Sequence, residues 1–438
     1  MAKTFRDWDV DEGWLFPPSV SELVPEGHPA HLIRDTVRHC LDLSGIFAAY
    51  EEERGAPPFH PTMMTALLLY AYSQGIYSSR RIARACEERV DFMAVTALGK
   101  PDFRTIGKFR VRHLAALEDL FGQVLKLCRK AGLVRLGHVA LDGTKIKANA
   151  SKHKAMSYGR MKQREKELRR EVRAMLERAE REDREEDDRF GPDRRGDELP
   201  EHLRTKQGRL EAIRRAKEEL EREAREQAEE EGKEGAAIVK DSKQRNFTDP
   251  ESRIQKTNDG YIQGYNAQAA VDAAHQIVVA CDVVQSSVDA PQLAPMVKQI
   301  EENLGERPKE MSADAGYFSA ANVELLEEKG IEALIATERQ RHGKGYEATP
   351  RGRIPRHLTL RERMARKLRT RRGRAGYAKR KVTVEPVFGQ MKHARGFRQF
   401  LLRGIGKVSA EFALVCTVHN LLKWIHAGAW RDERALAT

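Results

Sequence analysis

Cysteine is scarce and scattered in this chain. The five residues, Cys40, Cys86, Cys128, Cys281 and Cys416, are odd in number and never fall in a C-x-x-C spacing. That argues against a disulfide framework and a cysteine-built zinc site, and for a reducing compartment. Long apolar runs are missing as well. The most apolar stretch, Phe412 to Ile425, is short and carries His419, Asn420 and Lys423, so no membrane span is expected. The opening MAKTFRDWDVDEG has no apolar core and does not read as a secretory signal. A cytoplasmic location follows as the expectation.

Charge is what the chain has in excess, and it is unevenly spread. The net charge is +12, yet residues 339–381 alone hold 17 Lys/Arg against Glu347 and Glu362. Residues 160–235 hold 22 basic and 25 acidic residues, and the rest of the chain nets to zero. A local positive field of that size points to a polyanion, most commonly nucleic acid. A solvated basic loop is the plainer alternative.

With 438 residues the chain can bury a full core in more than one domain. Residues 1–132 read as all-helical. HPTMMTALLLYAYSQG has apolar residues on a helical period and stops at Gly75. Ser78 and Ser79 are expected to cap one helix over RRIARACEERVDFMAV, and Thr105 to cap a long run to Gly132. Arg80, Arg81 and Arg84 near a helix start suit a DNA-reading helix-turn-helix, and equally an ordinary helical unit with surface arginines.

At Gly137 the period changes to strand-like alternation in GHVALDGTKIKA. This first piece of an α/β core, residues 133–157, is interrupted by an Arg/Glu-rich insertion over 158–240. Opposite charges there recur three or four apart, as on exposed helices, with a break near FGPDRRGDELP. The core resumes over 241–430. GYNAQAAVDAAHQIVVACDVVQ predicts a β-hairpin turning at Asp272-Ala273-Ala274-His275. Helices are expected over 290–304 and 319–329, with strands before Asp314 and in GIEALIAT. Together these make a mixed sheet with flanking helices.

Three acids stand out. Asp142 is expected in or at the end of the first strand, and Asp314 just after a later one, where ligand sites in such sheets gather. Val384, Val387, Phe388 and Met391 form an apolar helical stripe, with Glu385 and Lys392 together on its flank. Pro386 suggests that Glu385 sits in a first helical turn, with Thr383 as its cap. Carboxylates without His or Cys partners favour Mg²⁺ or Mn²⁺ over zinc. Two such ions roughly 3.5–4 Å apart can activate an attacking oxygen and stabilise the leaving one in phosphoryl transfer. Asp272 and Asp282 read as hairpin surface acids or as support for the site. His393 reads as a solvated helix residue, and His419 and Asn420 as satisfied packing.

Taken in order, ALDGTKIKANASKHKAMSY, KTNDGYIQGYNAQAAVDA, SADAGYFS and VEPVFGQMKHARGFRQFLLRG resemble the bacterial insertion-sequence transposases of the DDE class. The resemblance extends to the N-terminal helical segment. It implies an RNase H-like fold interrupted by an insertion, with Asp142, Asp314 and Glu385 as a catalytic triad holding two divalent ions. It also implies binding to terminal inverted repeats and to target DNA, nucleoid association, and a homo-oligomer that brings two ends together. Related elements carry a Tyr-x2-Arg-x3-Glu-x6-Lys signature. Here Glu385-x6-Lys392 is intact, but Tyr377-x2-Arg380 lies one residue too far from Glu385, and Lys381 has the expected spacing. The phosphate-binding cation beside Lys392 is therefore either Arg380 or Lys381.

Some relatives stack a flipped base on a tryptophan of the insertion. Trp8, Trp14, Trp424 and Trp430 all lie outside it, so nothing supports that hairpin route. The expected chemistry is attack of water on the phosphodiester at the element end, then attack of the freed 3′-hydroxyl on target DNA. Lys392 and the second cation would hold phosphates, and residues 339–381 would line the DNA path. The rival readings are an RNase H-like nuclease or resolvase that cuts without joining, and a non-catalytic DNA-binding protein.

Overall fold

The computed structural model describes residues 19–50, 57–150, 155–190, 201–230, 239–257, 260–338, 349–350, 352, 355 and 357–431. Trp8 and Trp14, the centre of the FGPDRRGDELP break and the first part of the basic segment lie outside the described residues.

The N-terminal part is helical: α1 (Pro29–His39), α2 (Ser44–Phe47), α3 (Pro61–Ser73), α4 (Ser79–Glu88), α5 (Val90–Thr96), α6 (Phe103–Arg112) and α7 (Leu114–Lys130). Two long helices expected from the sequence are each broken. Arg89 is extended, so α4 ends there and α5 turns to pack on α3 with Phe92 fully buried. Asp102, not Thr105, caps α6: its carboxylate accepts from the backbone N–H groups of Arg104 and Thr105 at 2.7 and 2.8 Å. His113 then separates α6 from α7.

Alternating apolar residues give β1 (His138–Lys147). After it come β2 (Ala155–Ser157), α8 (Tyr158–Phe190), α9 (Glu201–Glu230) and β3 (Gln244–Asn246). Pairing of β2 with β3 clamps the base of the insertion. Tyr158 meets Glu221, Lys217 meets Glu165 and Lys206 meets Glu171, so α8 and α9 run antiparallel. A small apolar cluster of Met161, Leu168, Leu210, Ile213, Ala216, Leu220 and Val239 holds them together, separate from the main core.

The chain then forms β4 (Arg253–Thr257), β5 (Gly260–Asp272), β6 (Ile277–Val284), α10 (Leu293–Leu304), β7 (Glu310–Ala313), α11 (Ala320–Glu328) and β8 (Glu332–Ile335). In the sheet, β1 lies between antiparallel β5 and parallel β7, and β8 extends it beyond β7. The far edge of β5 is shared by β4 on its first half and β6 on its second. The chain closes with α12 (Leu360–Arg369), α13 (Arg371–Gly389), a π-type turn over Gln390–Ala394, and α14 (Ile405–His426). This mixed sheet with flanking helices, behind a helical N-terminal part, is the α/β class expected from the sequence. One apolar cluster runs from α1 through the sheet to α14, which packs on α7 and β6.

Two features of α14 and the hairpin differ in kind. His419 and Asn420 are satisfied packing: the His419 Nε2 lies 2.9 Å from the Gln276 carbonyl, and the Asn420 amide closes both bonds of Val278. Asp272 is no surface acid. It is fully buried, and its carboxylate accepts from the N–H groups of Leu136 (2.7 Å) and Ala274 (2.9 Å), fixing the hairpin turn on the start of β1.

Glu411 gives the fold a pH dependence. It is buried under the loop before α14 and accepts from the N–H groups of Leu401 and Leu402 at 3.0 Å. Burial pushes its carboxyl from the ordinary 4.5 up to about 7, and those N–H groups and the nearby Arg110 offset only part of that. The unfolded chain therefore loses this proton first, and the native state loses stability as pH rises from about 4.5 to about 7. The loss is on the order of 3 kcal/mol. Glu411→Gln keeps an acceptor without the charge. Its melting temperature relative to the parent is expected to be higher at pH 8 than at pH 5; an equal difference at both would contradict this.

Candidate active site

Register alone brings the first two acids together. Leu141 pairs with Ala313 across parallel strands, so the next residues, Asp142 and Asp314, are neighbours on one face. Asp142 is in the middle of β1, not at its end, because β1 continues alongside β5 after β7 has stopped. Asp314 leaves β7 into a single 3-10 turn and accepts from the Gly316 N–H at 2.8 Å. Asp142 is mostly buried and accepts from the Gly143 N–H at 2.9 Å. Burial pushes its carboxyl up to about 6, with the charge of Asp314 adding to the effect and Arg380 opposing it.

Glu385 arrives differently from the sequence expectation. It lies well inside α13, which starts at Arg371 behind the Thr370 cap, and Pro386 sits within the helix. Thr383 is no cap; its buried hydroxyl donates to the Lys379 carbonyl at 2.7 Å. A proline inside a helix deprives the carbonyl four residues back of its donor. That carbonyl belongs to Val382, and the Gln276 side-chain amide of the β5–β6 turn donates to it at 2.8 Å. The hairpin thus supports the helix at the point where it presents Glu385.

Arg380 ties the helix to the strand. One of its terminal nitrogens lies 2.7 Å from Asp142 Oδ2 and the other 3.4 Å from Glu385 Oε1. The structure brings Arg380 into the acid site, with Tyr377 half-buried beside it, whereas Lys381 is exposed. Lys392, in the π-type turn, donates to the Thr144 hydroxyl at 2.9 Å and to the Lys145 carbonyl at 3.2 Å, two and three residues beyond Asp142. Such turns often reshape helices at functional sites. His393 is exposed and pairs with Arg398.

A polar cluster on the other face of β1 escaped sequence reasoning. Gly143 and Lys145 pair with Gln268 and Asn266 of β5. Asp289, just before α10, accepts from Asn266 (2.7 Å) and Gln268 (3.0 Å) and lies 3.5 Å from Lys145. The Tyr317 hydroxyl donates to Gln268, and burial and the charges of Asp289, Asp142 and Asp314 hold that phenol well above its usual range. The available signal was Asn266 and Gln268 two apart, and so on one face of β5, just before the apolar run Ala269–Val271. Gly143 leaves room for this cluster, since a Cβ there would sit 2.6 Å from the Gln268 amide.

Other candidate residues lie elsewhere. Arg80, Arg81 and Arg84 are exposed on α4, which packs on α5 and α6; Arg80 covers the Phe103 ring and Arg84 pairs with Glu88. In the basic segment, Arg372 and Lys379 meet Glu310, and Arg372 and Lys367 meet Glu332. Part of that charge docks α12 and α13 on the β7–β8 edge. Asp282 is half-buried on β6 and accepts from the Val283 N–H.

Comparison with known proteins places the chain in a family. Residues 231–421 match the family model described as the transposase DDE domain, and residues 18–112 match the transposase domain DUF772. The chain belongs to the insertion-sequence DDE transposases. No curated protein and no solved structure matches it. As a transposase it is an enzyme that acts on DNA, and the DDE domain implies an RNase H-like fold. The DDE match includes Asp314 and Glu385 but begins after Asp142, which the register places beside Asp314. No helix among the described residues is long and apolar enough to cross a membrane.

DDE domains are generally dependent on divalent metal. Among the described residues no three His, Cys, Asp or Glu side chains already stand as a ligand set. The donor chemistry nevertheless fits a hard cation. Asp142 and Asp314 stand side by side, and the guanidinium of Arg380 marks a place between Asp142 and Glu385 where positive charge is already held.

Proposed function

We propose that this transposase cleaves DNA at the ends of an insertion sequence and joins the freed 3′ ends to target DNA, with Asp142, Asp314 and Glu385 as its catalytic acids. The observation that carries the reading is the meeting of those three positions: one within β1, one just past the end of the neighbouring β7, and the third across one guanidinium. Two Mg²⁺ or Mn²⁺ ions bound there would activate the attacking oxygen and stabilise the leaving one. The chain's own part is to set the line of attack. The rigid sheet fixes Asp142 and Asp314, and α13, braced by Gln276, fixes Glu385. Lys392 and Arg380 lie beside the acids and would hold the phosphates flanking the scissile bond, and Lys381 is exposed for a contact further along the backbone.

In this reading residues 1–132 grip the terminal inverted repeats, with Arg80, Arg81 and Arg84 on the DNA side. The insertion over 158–240 is a separate appendage, and the cations of 339–381 guide the duplex toward the acids. Two copies hold the two ends together. A strand-transfer assay with end-containing duplex and supercoiled target tests this directly. Joined products dependent on Mg²⁺ or Mn²⁺ are expected; cutting without joining would instead make the protein a plain nuclease of the same fold.

A further inference from the structure

The proposed chemistry needs Asp142 and Glu385 free for metal, yet Arg380 already occupies both. Its side chain is only 13% exposed, so this is no loose surface pair. The Nε of Arg380 is buried and has no hydrogen-bond partner. An arginine has five N–H donors in a planar fork, and the edge that includes Nε suits the bidentate oxygens of a phosphate. The guanidinium is therefore held by the two acids and by the neighbouring Tyr377 hydroxyl, with its Nε–H unbonded, and the oxygens of an arriving phosphodiester would compete for it. Lys392, the other cation at this face, is bonded to a hydroxyl and a carbonyl and not to the acids.

We infer that Arg380 is a built-in counterion that keeps divalent metal out of the acid site until a DNA phosphate draws its guanidinium away, so that metal loading follows DNA binding. The inference rests on the assignment of Asp142 and Glu385 to the metal site. Its physical basis is competition: a guanidinium bridging two carboxylates repels a divalent ion and uses the same oxygens. With the guanidinium still in place, two divalent ions would over-charge the site, and phosphate oxygens supply the balancing negative charge.

The test is Mn²⁺ binding by the full chain, read from the free Mn²⁺ signal in electron paramagnetic resonance. Without DNA, Arg380→Gln is expected to bind Mn²⁺ about tenfold more tightly than the parent. Arg380→Lys, which cannot span both carboxylates, is expected to fall between the two and serves alone if the glutamine variant does not fold. Adding Asp142→Asn should remove the gain. A short end-containing duplex should tighten Mn²⁺ binding by the parent and change Arg380→Gln little. Affinity in either Arg380 variant no tighter than in the parent would overturn the counterion role. If the DNA-bound parent still takes up Mn²⁺ through Asp142 in that case, the metal-site reading survives alone. If Asp142→Asn alters Mn²⁺ uptake in neither state, that reading fails and the inference fails with it.

Discussion

Asp142→Asn, Asp314→Asn and Glu385→Gln are each expected to lower metal-dependent cleavage of end-containing duplex by ~10³-fold or more, with the fold and duplex binding retained. The size follows from the role. A carboxylate that positions a divalent ion supports several kcal/mol of transition-state stabilisation, and each factor of ten in rate is about 1.4 kcal/mol. The three should not behave alike in the resting protein. Asp142 is mostly buried and directly paired, so its amide removes the charge from the shorter pair and leaves Glu385 as the one carboxylate beside Arg380. Glu385 is half-exposed, and its amide should be nearly silent in a melting curve. Cleavage within tenfold of the parent for any one of them, with DNA bound normally, would remove that residue from the site.

Gly75→Ala is expected to cost about 2–4 kcal/mol, the sum of a left-handed backbone penalty and an overpacked contact. Gly75 closes α3 in a Schellman arrangement: the Ile76 N–H returns to the Ala71 carbonyl and the Gly75 N–H to Tyr72, with φ at +69°. A Cβ at this position would lie 2.6 Å from the Arg395 carbonyl, which is backbone and cannot swing aside. Arg395 directly follows the π-type turn that carries Lys392, so the N-terminal helices dock immediately behind the site. Gly132 is the control. It has a similar φ of +71° at the end of α7, but nothing lies within 4 Å of an added Cβ. Thermal melting should show a clearly larger loss for Gly75→Ala than for Gly132→Ala. Equal losses would mean that the close approach contributes nothing.

Much of the fold was legible because patterning dominates it. The alternation in β1, the β5–β6 hairpin and the helices after Ala290 and Ser319 follow from period and cap chemistry. What escaped depends on partners remote in sequence. Pro386 reads as a helix start unless one knows that Gln276 supplies the missing donor to Val382, from which it is 106 residues away along the chain. Thr105 resembles a cap until Asp102 is seen to take two N–H groups. Asp272 looks like a turn acid on the surface, yet it is the buried acceptor that joins the hairpin to Leu136.

At the site, sequence alone left Arg380 and Lys381 equal. The helix settles which side chain turns inward, because α13 runs on from Arg371 through Glu385 without a break. The neighbourhood of Asp142 and Asp314 required the strand register, and the ion pair of Asp142 with Arg380 required α13 laid across β1. The cluster around Asp289 could have been suspected only from Asn266 and Gln268 sharing one face of β5.

The most direct test of the central claim is to let the metal report its own position. Fe²⁺ replaces Mg²⁺ in the transposase bound to an end-containing duplex, and ascorbate with peroxide then cuts the polypeptide next to the bound iron. Cuts are expected near residues 142, 314 and 385 together, and Asp142→Asn should abolish them. Cuts confined to other segments, or a pattern unchanged by Asp142→Asn, would contradict the assignment of the site.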